Sequence, residues 1–295
     1  MGNTIDDRKL ERIKQFRPID DVFFEVLADD AAFCQEILRV ILEDDKLTTL
    51  DVKMQKGVRN LVGRSVRLDA LCTLGDGTLC NVEVQRSNND NHFKRIRYNA
   101  ACITASETEP GALFENVPSV IVVYISEFDI LKGERAAYHI DKVVRETGNI
   151  LDDGMKTVCV NTKANDGSKI AELMQLFTQT EVKSSKFPVF TERMNDIKNS
   201  ERGQRKMCEI MEEYAKEYAE EYAKEQRREG REEGREEGRE ETQEKIIREM
   251  LRDDMSVDKI AQYADTDINY VLKIQSNMIE SGQLQVNERR NTRKR

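Results

Sequence analysis

The chain has 295 residues, of which 38% are hydrophobic and 35% charged, and its formal net charge at pH 7 is −9. This length predicts one domain of about 200 residues with an extension, and the negative charge argues against a generally basic nucleic-acid-binding protein. No apolar run reaches the ~18 residues of a membrane span, and the first residues have no signal-peptide core, so we expect a cytoplasmic protein with reduced cysteines.

Helices and strands alternate in the first half of the chain. Apolar residues at helical spacing over 20–27 and 31–42 predict two helices. Asp20 or Asp21 can cap the first of them. The next stretch, 52–62, is ambiguous, and a strand that leads into the following segment is one interpretation.

Residues 66–85 predict a β-hairpin, because apolar residues alternate on both sides of a Gly-Asp-Gly turn at 75–77. If these three residues form the turn, Asp69 lies directly opposite Glu83, and the two carboxylates repel each other. Two hard oxygen donors with water suit Mg²⁺ or Mn²⁺. A two-residue turn would instead shift the register by one and send the carboxylates to opposite faces.

The hairpin lies in a basic part of this acidic chain. Residues 53–97 contain nine lysines and arginines but only four acidic residues, two of which are Asp69 and Glu83. Cations around an acidic pair are what a phosphodiester substrate needs, with a metal ion at the scissile phosphate and basic side chains at its neighbours.

Beyond the hairpin the pattern returns to helix and then to strand. Residues 88–104 predict a helix, and 117–125 is a continuous β-branched run, which is typical of a strand buried on both faces. Further strands are predicted near a sheet edge at 136–143 and 157–160, and further helices at 170–177 and 193–211.

A four-residue repeat follows from residue 211. Four residues overshoot a 3.6-residue turn by about 40°, so the repeat makes no heptad seam. We expect a solvated helix that frays at its glycines, each of which costs ~1 kcal/mol relative to alanine, and that forms a homo-oligomer through its tyrosines. The repeating residues are Tyr214, Tyr218, Tyr222, Gly230, Gly234 and Gly238.

Residues 249–281 resemble a helix-turn-helix, followed by a basic tail at 282–295 that we expect to be disordered. The second helix begins at the acidic Asp267, which suits base contact poorly. A partner-binding or oligomerising module is therefore at least as consistent with the sequence as a DNA-binding one.

Four motifs in this order resemble the Rpn-type recombination-promoting nucleases, also called PD-(D/E)XK nuclease family transposases. The resemblance covers about residues 15–200. Gln85 stands where many nucleases have lysine, although glutamine is usual in this subfamily, and Asn99 stands where a second aromatic residue is common. The motifs are Asp21-Val-Phe-Phe-Glu25, Arg67-Leu-Asp69, Glu83-Val-Gln85 and Arg95-Ile-Arg97-Tyr98.

The resemblance implies an α/β fold: a PD-(D/E)XK restriction-endonuclease-like core over residues 1–200, with a mixed central sheet flanked by helices. The charged repeat helix at 201–248, the small helical module at 249–281 and the tail at 282–295 follow it.

The implied activity is that of a metal-dependent DNA endonuclease, linked to recombination or to mobile-element or phage biology. Asp69 and Glu83 would bind Mg²⁺ or Mn²⁺ together with the backbone carbonyl of Val84. Gln85 would position water, since a neutral amide can orient water but supplies no positive charge. The remaining candidates are Asp21 or Glu25 as a further acid, and Arg67, Arg95 and Arg97 as contacts to DNA phosphates.

Purely structural roles for these residues also stay open. Asp21 can be a helix cap, Glu25 a solvated side chain, and Arg97 an ion-pair partner of the hairpin acids. Because Gln85 lacks the charge of lysine, the chain can also be a catalytically degenerate nuclease fold. It would then act as a DNA- or protein-binding regulator that oligomerises through its C-terminal helix.

Overall fold

A computed structural model describes residues 6–58, 66–89 and 91–284 of the protein. The side chains of residues 55–58, 66, 67, 217 and 221 lie outside that description, as do residues 285–295 of the predicted basic tail and Arg59 and Arg64 of the basic stretch. None of the described helices is both long and apolar enough to cross a membrane.

Three helices precede the first strand. Each begins after an aspartate, at Asp6, Asp20 and Asp30, but only the first and third of these carboxylates accept backbone N–H groups of their helix. Asp20 instead accepts a hydrogen bond from the N–H of Arg17, at 2.8 Å. The helices are α1 (Asp7–Gln15), α2 (Asp21–Ala28) and α3 (Ala31–Ile41).

The central sheet is mixed and has six strands. The ambiguous stretch before the hairpin is a strand, β1, and the predicted strand region before residue 144 divides in two. The strands are β1 (Thr49–Val58), β2 (Val66–Leu74), β3 (Leu79–Gln85), β4 (Val120–Ser126), β5 (Ala137–Ile140), β6 (Lys142–Val143), β7 (Ile150–Leu151) and β8 (Met155–Asn161).

Strand order in the large sheet is β1-β2-β3-β4-β8-β5, and β6 and β7 form a separate two-stranded ribbon. The β1–β2, β2–β3 and β5–β8 pairs are antiparallel, whereas β3–β4 and β4–β8 are parallel. Parallel neighbours are joined by long crossover connections: α4 (His92–Glu107) provides the one between β3 and β4, and the segment with β5, β6 and β7 the one between β4 and β8.

Helices cover both faces of this sheet. One face packs on a core that contains Phe23, Phe33, Phe177 and Phe190, from helices at both ends of the domain. These include α5 (Lys169–Phe177) and α6 (Pro188–Asn199). The opposite face packs on α4. The α/β fold with a mixed sheet between helices is therefore confirmed.

The chain divides into two compact units, Met1–Ala215 and Lys216–Arg295. Helix α7 (Glu201–Arg252) runs through the boundary and continues without interruption across its glycines. In the second unit, the end of α7 forms a small core with α8 (Val257–Tyr263) and α9 (Ile268–Glu280).

Candidate active site

The hairpin between β2 and β3 has the three-residue turn. The N–H of Leu74 donates to the carbonyl of Thr78 at 2.9 Å, and the N–H of Thr78 donates to Oδ1 of Asp76, also at 2.9 Å. Gly77 has φ of +86°, a conformation that glycine adopts without strain. The two-residue turn, and the register that it would impose, are thereby excluded.

This register brings Asp69 and Glu83 together. Ala70 pairs with Val82 in the ladder, and one step further along the same register Asp69 lies opposite Glu83. Beyond the last ladder pair, the N–H of Val84 donates to Oδ2 of Asp69 at 2.9 Å. The N–H of Asp69 in turn hydrogen-bonds the Glu83 carboxylate.

Both acids are held where their negative charge is unfavourable. Glu83 is 2% exposed, and burial raises its pKa. The pKa of Asp69 is well above its ordinary range, because burial and then the nearby charge of Glu83 both disfavour ionisation. Two close hard oxygen donors with too little positive charge around them fit a divalent cation.

Two carboxylates are too few ligands for a complete metal centre. The described part of the chain holds no group of three or more His, Cys, Asp or Glu side chains arranged around a metal position. Any ion held by Asp69 and Glu83 would therefore complete its coordination with backbone carbonyls, water or substrate oxygens, as Mg²⁺ commonly does.

Gln85 and Arg95 form the next part of the site. Oε1 of Gln85 accepts from a guanidinium N–H of Arg95 at 2.9 Å. Nε2 of Gln85 donates to the carbonyl of Ser87 at 3.0 Å. The positive charge of Arg95 acts to lower the pKa of both Glu83 and Asp69, against the rise that burial causes. Arg95 is thus a cation shared by the acidic pair.

The two α2 acids differ in position. Asp21 begins the helix and is exposed. Desolvation of its carboxyl group raises the pKa of Asp21, and the positive charge of Arg95 opposes that rise. The negative charge of Asp21 in turn raises the pKa of Asp69. Glu25, one turn later, is 9% exposed and therefore does not lie on a solvated face. Of the two, Asp21 joins the electrostatics of the site.

Among the arginines predicted to contact phosphates, Arg95 lies at the acidic pair. Arg97 is exposed on α4, but two residues are about 200° apart around a helix, so Arg95 and Arg97 leave α4 in different directions. The backbone of Arg67 pairs with Gly57 in β1, and its side chain lies outside the described part. Val84 contributes its N–H to Asp69 and its side chain to the core.

Several residues at the site were not predicted from the sequence. An ion-pair ring ties the start of α2 to the ends of β3 and β4. Arg17 bonds Glu127 at 2.8 Å and Asp20 at 3.4 Å, and Arg86 bonds Asp20 at 2.9 Å and Glu127 at 3.4 Å. Three segments that are far apart in the chain supply its members, at residues 17–20, 86 and 127, so no local pattern signals it.

A mixed sheet between helices, with an acidic pair on its central hairpin, defines a nuclease-like α/β protein. The chain belongs to the PD-(D/E)XK nuclease family transposases, whose family model matches residues 29–249. This confirms the resemblance seen in the motifs. The match continues far into α7, and Asp21 and Glu25 precede its start. No curated protein and no solved structure matches the chain.

Proposed function

We propose that this protein is a divalent-metal-dependent DNA endonuclease that hydrolyses phosphodiester bonds in recombination or in mobile-element or phage biology. The observation that carries the proposal is the proximity of Asp69 and Glu83, one residue beyond the last ladder pair of the hairpin, with raised pKa values in both carboxyl groups. Membership of a nuclease family supports DNA as the substrate.

In this proposal Asp69 and Glu83 hold Mg²⁺ or Mn²⁺, with the Val84 carbonyl as a further ligand and Asp21 as the acid at the rim. Glu25, one turn further along α2, is the other candidate for that acid. Such an ion, when bound, polarises the phosphate and lowers the pKa of a bound water.

Gln85 orients water through its amide, and Arg95 supplies the positive charge that an amide lacks. A guanidinium can bind a phosphate with two parallel hydrogen bonds, so Arg95 would hold the phosphate nearest the acids. Arg97, and Arg67 on β2, would contact phosphates further along the strand.

The test is nicking of supercoiled plasmid in Mg²⁺ or Mn²⁺. Asp69→Asn keeps the shape of the side chain and should abolish cutting. Asp76→Asn, a matched change at the exposed turn of the same hairpin, keeps the oxygen that accepts the Thr78 N–H and should cut like the wild type. Undiminished cutting by Asp69→Asn would place the active site elsewhere.

A second function is supported by the bonds of Gln85. Both ends of its amide already have protein partners, Arg95 and Ser87, so the amide serves structural bonds and keeps only one acceptor position of Oε1 for water. This favours a catalytically degenerate fold that binds DNA or protein and oligomerises through α7, where Tyr218 and Tyr222 are 73% and 59% exposed. Such a regulator retains DNA affinity without cleavage in either metal.

A further inference from the structure

Two asparagine side chains from different elements converge on the Glu83 carboxylate. Asn81 precedes Glu83 by two residues, so both side chains leave β3 on the same face, and Nδ2 of Asn81 donates to Oε1 of Glu83 at 2.8 Å. Asn99, on α4, hydrogen-bonds the same carboxylate through its side chain. The strand and the helix that cover Glu83 therefore each supply one amide donor.

These amides are unexpected as packing residues. Asn81 is 0% and Asn99 3% exposed, and the core between α4 and the sheet consists mainly of leucine, isoleucine and valine. Oδ1 of Asn81 is buried and has no hydrogen-bond partner within the described residues. Buried polar atoms are normally hydrogen-bonded, so leucine would suit position 81 better if packing were its only role.

We propose that Asn81 and Asn99 are positioning residues, an amide clamp that fixes the orientation of Glu83 toward Asp69 before a cation binds. This inference rests on the proposed metal-dependent function. A carboxylate offers about four acceptor positions, and Asn81, Asn99 and the N–H of Asp69 all engage this one. Donors from β2, β3 and α4 thus hold Glu83 against rotation, and the acidic pair is ordered in advance.

The decisive measurement is the Mn²⁺ affinity of the metal-free full-length protein, by titration calorimetry, in Asn81→Leu and Asn99→Leu. Leucine keeps a similar volume and removes the donor. Each change should weaken Mn²⁺ binding about 10-fold, as loss of a hydrogen bond to a metal ligand commonly does. In plasmid cleavage, kcat should fall while KM for DNA stays constant.

Two further variants separate positioning from packing. Asn161→Leu removes another buried asparagine, which donates to the carbonyl of Arg135 away from the acids. It should lower the melting temperature and leave Mn²⁺ affinity unchanged. Asn99→Gln keeps an amide donor and should recover most of the affinity that Asn99→Leu loses, and if Asn99→Leu fails to fold, the affinity of Asn81→Leu alone decides.

Wild-type Mn²⁺ affinity in both leucine variants would overturn the clamp, since the amides would then be packing residues. A wild-type chain that binds Mn²⁺ but leaves DNA intact overturns the nuclease proposal alone, because the affinities still decide the role of the two asparagines. A wild-type chain that binds no Mn²⁺ overturns both.

Discussion

Asp69 and Glu83 occupy positions that oppose the stability of the fold in the absence of a cation. Each carboxyl group is buried next to the other, and their pKa values are raised. A raised pKa of one unit corresponds to about 1.4 kcal/mol of unfavourable interaction for the charged form. Under the proposed function, metal binding and the stability of the metal-free protein therefore compete at these two residues.

Asp69→Asn should stabilise the metal-free protein at neutral pH by on the order of 1 kcal/mol, because it removes the repulsion with Glu83. Mg²⁺ should raise the melting temperature of the wild type but not of the variant, since a ligand stabilises the state that binds it. Thermal unfolding with and without Mg²⁺ measures both effects. Equal Mg²⁺ responses would contradict metal binding by Asp69.

Arg95→Ala should change metal binding and catalysis in opposite directions. Loss of the cation shared by the acids should tighten Mn²⁺ binding, while loss of its contact to phosphate should slow cleavage by about 100-fold. Calorimetry measures the change in Mn²⁺ affinity, and single-turnover cleavage measures the change in rate. Lys94→Ala, at the exposed neighbouring position, is the control and should alter neither quantity strongly.

The acidic pair was predictable from the sequence because strand alternation and a Gly-Asp-Gly turn are local signals. The roles of Asn81 and Asn99 were not predictable, since the hydrogen-bond partner of an asparagine depends on tertiary packing, here the packing of α4 on β3. Glu25 illustrates the same limit: its helical position was predicted, but its burial depends on elements that are distant in the chain.

At the scale of elements, α7 is a 52-residue helix that contains three glycines at four-residue spacing. We expected fraying there, yet the helix continues through them. A Cβ atom added at Gly230, Gly234 or Gly238 would meet no atom within 4 Å. Neighbouring atoms in the described chain therefore do not require glycine at these positions.

Replacing Gly230, Gly234 and Gly238 with alanine should stabilise α7 by about 1 kcal/mol per site, the difference in helix propensity. Circular dichroism during thermal unfolding measures this as a later loss of helix. Gly203→Ala is the matched contrast in the same helix. Its Cβ would lie 2.4 Å from the Cα of Ile197, so that substitution should destabilise the protein.

Asp166 joins the edge strand β5 to α5. It accepts the N–H of Ala136 at 2.9 Å and that of Ser168 at 3.0 Å, and these hydrogen bonds lower its pKa to about 2. A folded-state pKa below the unfolded one stabilises the protein above the unfolded pKa, and this contribution disappears as pH falls through the folded value.

Asp166→Ala should therefore destabilise the protein at pH 6 by on the order of 1 kcal/mol, allowing for solvent screening. The difference from the wild type should shrink between about pH 4 and pH 2. Urea unfolding across this range checks the trend. Asp45→Ala, at a side chain that is 92% exposed, should show little difference at any pH.

At the scale of the whole molecule, the first compact unit ends at Ala215, and the domain boundary at residue 200 stays a prediction. The early turns of α7 pack within this unit. Met207 is fully buried in the main core, and Lys206 forms an ion pair with Asp29. Charge composition changes gradually after residue 200, so it could not indicate which turns of the helix are packed.

A chain truncated after Ala215 should fold cooperatively and bind Mn²⁺ as the full protein does, because it contains every residue of the acidic site. A chain truncated after Ser200 loses Met207 and should be less stable by about 2–5 kcal/mol, the usual effect of emptying a buried methionine position. Denaturant unfolding of both truncations makes the comparison. Equal stabilities would support the earlier boundary.

Ionic strength should influence this protein through the ring of Arg17, Asp20, Arg86 and Glu127. Arg86 is 54% exposed and the other three side chains are 12% to 24% exposed, so dissolved ions weaken mainly the bonds that Arg86 makes. Arg86 directly follows Gln85, and Asp20 directly precedes Asp21. Added salt should therefore loosen the supports of the acids, and under the proposed function it should also weaken DNA binding and slow cleavage.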